Sequence, residues 1–372
     1  MKIVCYTYDD INNPWCGGGG AHRIETVHEL LAVQGHDITF ITGSYPGCEK
    51  KHSKFAKKHF GLSCSYLISR LTYTIVANVH SLFCKADVFL TVFSVYAPVV
   101  NFMFRKKVIL EFYHLLGKRT VDKYGFAGWL PYYFEKLMLK HSRTIITMAP
   151  GTKTSVLEMF PNKEIYALPC GFDEKQLVLV PEDHKYILVF GRIDIYMKGI
   201  DRMIPVMAKV LTKVDGYRLK IAGRGSDEDI RTLHKLVDDS GIRDKVDIII
   251  NPEYDEKLEL FKNCSYVGIF SRFEGWCIVA IEAAAAGKAI LGVEVEGLRD
   301  SVNNGYNGIL VKDFDVEKIV EVGIQFLEDY EFRKKYENNA RQHASQYTWE
   351  KIALMQENVY KSVIHSETAK HV

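Results

Sequence analysis

Apolar and polar positions alternate along this chain in a pattern that predicts buried strands separated by amphipathic helices. The apolar run at 2–8 predicts a strand, and apolar residues then recur at helical spacing from Ile24 to Leu31. Gly35 is well placed to end that helix, and residues 37–42 predict the next strand. A parallel strand pair joined by a helix is the building block of a doubly wound sheet.

The same alternation continues in two series. The first series has further predicted strands at 85–93, 106–112 and 143–149, whereas residues 44–75 hold a basic cluster and an aromatic run without a clear element. The second series has predicted strands at 185–190, 218–223, 246–250, 265–270 and 288–293. The chain after these strands is predicted to be helical. The sequence therefore predicts an α/β protein with two Rossmann-like, doubly wound domains.

The composition is that of a globular protein with a full core, because 47% of the 372 residues are hydrophobic and 25% are charged. The formal net charge is only +2, but residues 1–180 carry +7 and residues 181–372 carry −5. A basic first half favours an anionic partner on that side of the protein. An imbalance of this size also arises without function, so both interpretations stay open.

Cysteine usage and hydropathy bear on the compartment. Eight cysteines without a C-x-x-C pair or zinc-like spacing favour a reducing compartment, and a cytoplasmic location is expected. No signal peptide is visible ahead of the first predicted strand. The 17-residue apolar stretch at 88–104 contains Pro98 and Asn101, and a buried strand with a core helix explains it better than a membrane span does.

The strongest candidate for chemistry is residues 271–290, SRFEGWCIVAIEAAAAGKAI. A strand is predicted to end near Phe270, so Glu274 lies in the following loop and Glu282 inside a helix that stops at Gly287. Amides at a helix start can bind a phosphate, and a carboxylate can accept hydrogen bonds from a ribose diol. The alternative is an acid that complements the helix dipole, with Glu282 as a solvated residue.

Two cations and a histidine follow other predicted strands. Arg192 and Lys198 flank the turn in GRIDIYMKG, where they would neutralise a diphosphate leaving group as its bond to a sugar breaks. Ordinary surface cations are the alternative, which the position directly after a strand disfavours. His114 follows the strand at 106–112 and is a candidate for acid–base chemistry, although a single histidine is more often structural.

The loop GGGGAHR at 17–23 lies between a predicted strand and a predicted helix. Its glycines would let the backbone approach a ligand and expose amides, but flexible loops share this composition. The loop lacks G-x-G-x-x-G in register, and TGS rather than an acidic residue ends the second strand. Both features disfavour a nicotinamide-dependent oxidoreductase, which stays the weaker alternative.

Taken together, these segments resemble the family-4 retaining glycosyltransferases of GT-B fold, over nearly the whole chain. The resemblance is carried by GGGGAHRIETVHELLAVQGHDITFIT, PCGFD (169–173), GRIDIYMKGID, FEGWCIVAIEAAAAGKAI, GLRDSV with NNGYNGILV (297–311), and YTWEKIA (347–353). The E-x7-E spacing from Glu274 to Glu282 is its most specific element. The chain departs from the family pattern at Cys170, where Asn is usual, at Asp300, where Glu is usual, and in its four consecutive glycines.

The resemblance implies an enzyme with an active site in the cleft between two domains. Residues 1–172, with 350–372 as a helix crossing back, would form the acceptor-side domain, and 173–349 would form the donor domain. The enzyme would move a hexose from a nucleotide-diphosphate sugar to a glycan, lipid-linked or other hydroxyl acceptor, with retention of anomeric configuration. The nucleotide sugar would be a co-substrate, and no bound metal, other cofactor or nucleic acid is expected.

The resemblance also implies roles for individual residues. Arg192 and Lys198 would bind the donor diphosphate, and Glu282 would hold the ribose hydroxyls. Glu274 would contact the donor sugar near the reacting centre, and His114 would lie near the sugar and the acceptor. Backbone contacts with the donor would come from Gly18, Gly19 and Gly20 in the first domain and from Gly275, Trp276, Cys277 and Ile278 in the second.

The acceptor should be bound by the first domain, where the resemblance is weakest. A basic cluster there is a candidate amphipathic segment at an anionic membrane surface, which would place the enzyme at the inner membrane face with a lipid-linked or anionic acceptor. A solvated basic loop is the alternative. The cluster consists of Lys50, Lys51, Lys54, Lys57 and Lys58 with Phe55 and Phe60, and Arg105, Lys106 and Lys107 lie nearby in sequence.

Two further functions stay open at this point. One is a catalytically silent protein of the same fold that binds a sugar nucleotide or a glycan, although the presence of Arg192, Lys198, Glu274 and Glu282 disfavours it. The other is a sugar phosphorylase of similar fold, which the short chain disfavours. A turnover assay distinguishes all of these functions.

Overall fold

A computed structural model describes residues 1–48, 54–104, 107–113, 115–118, 120–121 and 125–368, and it divides into two α/β units. One unit is Met1–Cys170 with Trp349–Val372, and the other is Gly171–Thr348. The first unit therefore ends at residue 170 rather than at the expected residue 172, and its last helix begins at residue 349 rather than at 350. Each unit holds a single parallel sheet, so the predicted pair of Rossmann-like domains is confirmed.

The first unit is built on a seven-stranded sheet in the order β3-β2-β1-β4-β5-β6-β7. Strands β4 and β5 are buried at every position, as expected for apolar runs at the centre of a parallel sheet with helices on both faces. The sequence does not predict the edge strands β3 and β7, whose short runs are partly polar. The strands are β1 (Lys2–Tyr6), β2 (Asp37–Gly43), β3 (Ala56–Phe60), β4 (Val88–Val92), β5 (Val108–Phe112), β6 (Thr144–Thr147) and β7 (Glu164–Ala167). The helices are α1 (Gly19–Val33), α2 (Tyr66–Phe83), α3 (Val100–Phe104), α4 (Trp129–His141) and α5 (Pro150–Met159).

The second unit is built on a six-stranded sheet in the order β10-β9-β8-β11-β12-β13. The strand order reverses between β8 and β11, and open α/β sheets bind ligands beyond the carboxyl ends of the strands at such a point. The strands are β8 (Tyr186–Phe190), β9 (Arg218–Gly223), β10 (Val246–Ile250), β11 (Tyr266–Ile269), β12 (Ile290–Val293) and β13 (Gly308–Val311). The helices are α6 (Ile200–Leu211), α7 (Asp227–Asp239), α8 (Tyr254–Asn263), α9 (Ile278–Ala285), α10 (Glu296–Ser301), α11 (Val316–Glu328) and α12 (Tyr330–Ala344).

The last helix, α13 (Trp349–Thr368), belongs to the first unit and packs on α1. Arg23 of α1 is fully buried, forms an ion pair with Glu111, and donates to Gln356 Oε1 at 2.9 Å. Gln356 in turn donates to the Tyr360 hydroxyl at 2.7 Å. Because buried polar groups need partners, this network ties the C-terminal segment to the first unit.

The apolar stretch at 88–104 forms β4 and the short helix α3, as the sequence predicts. Asn101 of that stretch lies buried within α3. Among the described residues, no helix combines the length and the apolar character needed to cross a bilayer.

Candidate functional site

Two loops that carry the predicted chemistry lie side by side, because β8 and β11 are neighbours in the sheet. Gly199, which precedes α6, has a φ of +64°, and a Cβ atom there would lie 2.3 Å from the carbonyl oxygen of Phe270. Only glycine allows this approach without a shift of the backbone. The Arg272 amide donates to the carbonyl oxygen of Met197 at 3.0 Å and joins the loops a second time.

Charged side chains hold the same two loops together. Arg272 donates two hydrogen bonds of 2.7 Å to the carboxylate of Asp201, in the first turn of α6. Arg202 donates to the carbonyl oxygens of Phe270 at 2.8 Å and of Ser271 at 3.0 Å. Planar guanidinium donors suit such forked contacts. The sequence gives no signal for these pairs, because their members lie 68 to 71 residues apart.

Lys198 and Glu274, two of the predicted catalytic residues, form an ion pair between these loops. Lys198 Nζ lies 2.7 Å from Glu274 Oε1, and the Ser271 hydroxyl donates to the same oxygen at 2.6 Å. Burial is the largest single influence on the pKa of Lys198 and lowers it, but the charge and hydrogen bond of Glu274, together with Cys277, raise the pKa above its ordinary value. Lys198 is therefore a largely buried and firmly protonated cation.

Arg192 lies at the start of the first loop and is exposed. Its positive charge acts on Lys198, since it opposes the rise in the pKa of that group. Within the described part of the chain, no hydrogen-bond or ion-pair partner of its guanidinium is found. Arg192 and Lys198 border the same cavity at this edge of the sheet. The cavity is lined by Gly191, Arg192, Lys198, Ser271, Glu274 and Cys277, among others.

Helix α9 begins directly after the loop of Glu274. Its N-cap is Cys277, whose side chain makes no capping hydrogen bond, and Ile278 is the first helical residue. Burial raises the pKa of the Cys277 thiol, so the thiol stays neutral. A Cβ atom at Gly297 would lie 2.5 Å from the carbonyl oxygen of Glu274, so this glycine lets α10 pack closely against the loop. Uncapped amides close to Lys198 are suited to a phosphate.

Gly275 and Trp276 complete the loop before α9. The Trp276 ring is largely buried and meets Tyr347 edge-on, with 5.3 Å between the ring centroids. Its indole nitrogen has no hydrogen-bond partner among the described residues. Asp300, one of the departures from the family pattern, lies close enough to Tyr347 to contribute, after burial, to the raised pKa of that phenol.

Glu282 lies in the second turn of α9 and is nearly buried. Lys257 Nζ of α8 lies 2.5 Å from Glu282 Oε1, and the two side chains are 23% and 10% exposed. A solvated glutamate is therefore the wrong interpretation of this position, because the carboxylate is held in place by an ion pair. The sequence analysis missed Lys257, which lies 25 residues earlier and in no recognised motif.

The glycine loop of the first unit is exposed at two of its predicted donor-binding glycines and packed at the third. Gly18 is the N-cap of α1, and both Gly18 and Gly19 are exposed. Gly20 instead packs against Tyr113, since a Cβ atom there would lie 2.6 Å from the ring, and its carbonyl oxygen accepts from the Tyr113 hydroxyl at 3.1 Å. This packing is a structural reason for glycine at position 20. His114 lies outside the described residues, and its role stays a prediction.

Two lysines of the basic cluster of the first unit are paired with acids. Lys57 is nearly buried on β3 and pairs with Glu25 at 2.7 Å and with Asp10 at 3.3 Å. Lys54 pairs with Glu29 at 3.0 Å. Lys57 is therefore a structural lysine of the sheet, whereas Lys54 is paired but 68% exposed, and the membrane-surface segment stays a prediction. Lys50, Lys51, Arg105 and Lys106 lie outside the described residues, Lys58 is exposed, and Lys107 is half-buried.

Comparison with known proteins adds sequence relationships to this geometry. Residues 172–343 match the family model described as Glycosyl transferases group 1. An uncharacterized glycosyltransferase of Methanocaldococcus jannaschii is 32% identical over 228 residues, which are 60% of this chain and 57% of that protein. The chain therefore spans little more than half the length of this relative.

Two solved structures are similar to almost the whole chain. Sucrose-phosphate synthase from Thermosynechococcus elongatus has a TM-score of 0.83 at 18% identity, over 98% of this chain and 100% of that one. Alr3699/HepE of Anabaena in complex with UDP-glucose has a TM-score of 0.76 at 15% identity, over 97% of this chain and 100% of that one. At these identities the likeness shows the fold alone, and the predicted GT-B fold is confirmed.

Proposed function

We propose, from the match of residues 172–343 to the Glycosyl transferases group 1 family model, that the chain transfers a hexose from a nucleotide-diphosphate sugar to a hydroxyl acceptor. The observation that carries the proposal is the Lys198–Glu274 ion pair beside the uncapped start of α9. Retention of anomeric configuration and independence of a bound metal are part of the proposal. The acceptor is a glycan, a lipid-linked sugar or another hydroxyl compound.

The donor diphosphate would bind between the two cations and the amides of α9. Lys198 is protonated and largely buried, so it is poised before the donor arrives and needs little reorganisation as negative charge develops. Exposed Arg192 adds a second, adaptable cation at the cavity. When the diphosphate shares Lys198, the Glu274 carboxylate gains freedom to accept a hydrogen bond from a sugar hydroxyl.

The ribose of the donor would be held by Glu282. Lys257 engages Oε1 of this carboxylate, which leaves Oε2 to accept hydrogen bonds from the ribose diol. Lys257 would then be a positioning residue that orients Glu282. The same arrangement disfavours a hydrophobic or cationic ligand at this position.

Contacts from the first unit are part of the same proposal. Gly18 and Gly19, which are exposed beside the start of α1, keep their predicted role near the donor as a hypothesis. Gly20 and His114 keep their predicted roles as hypotheses. The UDP-glucose bound in the Anabaena structure makes UDP-sugars the first donors to test.

The test compares wild type with Glu282→Ala and with Glu259→Ala. Glu259 is a matched control, because it is an exposed carboxylate of α8 that also pairs with a lysine, Lys262. Thermal unfolding is followed with UDP-, GDP- and ADP-sugars in the presence of a chelator. Because a ligand that binds the native state raises its apparent stability, one nucleotide class should stabilise wild type and Glu259→Ala but not Glu282→Ala.

Turnover of the stabilising donor separates the remaining functions. Slow donor hydrolysis or transfer, lost in Glu282→Ala, supports the enzyme, whereas stabilisation without turnover indicates a silent binding protein. Absence of both with every nucleotide sugar contradicts the proposal. The anomeric configuration of the product, measured by NMR, tests retention, and loss of turnover in chelator contradicts metal independence.

A further inference from the structure

Helix α2 presents a wholly apolar face to solvent. Eight of its residues are exposed in the full chain, by 41% to 77%, and none of them is polar or charged. Ordinary surface helices of globular proteins turn polar residues outward. The eight residues are Leu67, Ile68, Leu71, Ile75, Val76, Val79, Leu82 and Phe83.

The orientation of α2 is fixed by hydrogen bonds on its inner face. The Ser69 hydroxyl donates to the carbonyl oxygen of Ser44 at 2.5 Å, and the Tyr73 hydroxyl donates to that of Ile41 at 3.2 Å. Ser69, Tyr73 and Ala77 are buried on this side. Rotation of the helix to hide the apolar stripe would leave these buried polar groups unsatisfied. The apolar face is therefore a settled feature of the fold.

The apolar face continues onto neighbouring helices. Helix α2 contacts α3, and α3 contacts α4. Met103 and Phe104 of α3 are 68% and 69% exposed, and Leu130, Tyr133 and Leu137 of α4 are also exposed. Exposed apolar surface spread over three adjacent helices marks an interaction site rather than scattered single residues.

The surroundings of this face are cationic. Residues 65–143, which span the three helices, contain eleven Lys and Arg but only four Asp and Glu. Two of those acids, Glu111 and Glu135, are buried. Lys85 follows the end of α2, and Lys136 and Lys140 lie beside the exposed apolar residues of α4, all three exposed. The apolar face is therefore bordered by positive charge with little acidic charge to balance it.

We propose that this face docks onto the surface of an anionic phospholipid bilayer. The apolar stripe of α2 would lie in the plane of the interface and enter the boundary of the acyl chains, and the lysines would meet the phosphates. A second copy of the chain fits less well, since an isologous dimer through this face would set one cationic border against another. The proposal moves the membrane contact from the lysines at 50–58 to α2, and it does not depend on the proposed enzymatic activity.

Vesicle flotation of the full chain tests this docking. The vesicles are phosphatidylcholine with and without phosphatidylglycerol, and the variant is Ile75→Gln with Val79→Gln. Its matched control is Val178→Gln with Val180→Gln, which removes two valines of the other unit that are even more exposed than Ile75 and Val79. Binding to anionic vesicles should fall by about tenfold or more in the α2 variant and stay unchanged in the control.

A second pair of substitutions separates the apolar and the electrostatic contributions. Lys136→Gln with Lys140→Gln should weaken binding to anionic vesicles and leave the weaker binding to neutral vesicles unchanged. Wild type that fails to float with anionic vesicles, or an α2 variant that floats as well as wild type, overturns the proposal. A concentration-dependent dimer that the α2 variant abolishes, without flotation of wild type, would instead assign this face to a second copy.

Discussion

Helices α6 and α2 both pack against parallel sheets, yet they distribute their side chains in opposite ways. Helix α6 buries Met203, Met207 and Leu211 against the second sheet, and apolar burial stabilises it in the usual manner. Helix α2 buries serine, tyrosine and alanine, and its Leu, Ile, Val and Phe residues lie in solvent. The comparison shows that apolar periodicity indicates two faces of a helix without telling which of them the fold covers.

The same contrast appears in how polar groups are used. In the second unit, the Lys198–Glu274 pair lies at the cavity, and both this pair and the Arg272–Asp201 pair remain partly exposed. In the first unit, the Arg23–Glu111 pair is fully buried and ties three chain segments together. The Lys198–Glu274 pair is therefore available to a ligand, whereas the Arg23–Glu111 pair holds the fold.

Removal of one partner from a buried pair and from a partly exposed pair should give the largest difference in the free energy of unfolding. Glu111→Gln leaves the buried Arg23 without a counter-charge, so the free energy of unfolding should fall by about 3–5 kcal/mol. Asp201→Asn breaks a partly exposed pair and should cost about 1 kcal/mol or less. Urea unfolding of both variants, followed by circular dichroism, measures the difference. Equal losses would show that the two pairs have the same role.

Truncation of one apolar side chain on each helix should give the next largest difference. Met207 is fully buried in α6, so Met207→Ala should lower the free energy of unfolding by about 2–5 kcal/mol. Ile75 is 65% exposed on α2, so Ile75→Ala should change it by about 0.5 kcal/mol or less. Denaturant midpoints of the two variants provide the comparison. A large loss at Ile75 would mean that this side chain is covered in solution.

The fold could be predicted from the sequence wherever strands are apolar throughout. The run at 186–190 follows this rule, and its strand forms where predicted. Strand β3 could not be predicted, because the run AKKHF looks like a solvated basic loop. Its inward lysine, Lys57, is stabilised by Asp10 and Glu25, which are distant in sequence.

The sequence could predict those residues of the candidate site that stand out within a single loop or helix. Glu274, Glu282 and Lys198 stand out from their spacing after strands, and the predicted positions in loop and helix are confirmed. Lys257 could not be found in this way, because its ion pair with Glu282 depends on the packing of α8 against α9. The exposed face of α2 was missed for the same reason, since exposure is a property of the whole fold.

The buried histidine of the first unit should make its stability depend on pH. His28 bonds to the Ile24 carbonyl oxygen at 2.7 Å and to the Tyr360 hydroxyl at 2.9 Å, and burial lowers its pKa from 6.5 to about 4. Between these values the unfolded chain binds a proton that the folded chain does not. The free energy of unfolding should therefore fall on acidification from about pH 6.5 to about pH 4, by up to about 3 kcal/mol.

His28→Gln isolates this contribution, because glutamine does not titrate. Urea unfolding is measured at about pH 7.5 and about pH 5. The free energy of unfolding of wild type should be lower at the acidic pH by about 2 kcal/mol, and the variant should not show this decrease. Exposed His141→Gln is the control and should keep the wild-type dependence. If His28→Gln loses as much stability on acidification as wild type, the pH dependence arises elsewhere, and the hydrogen bond from α1 to α13 through His28 has no part in it.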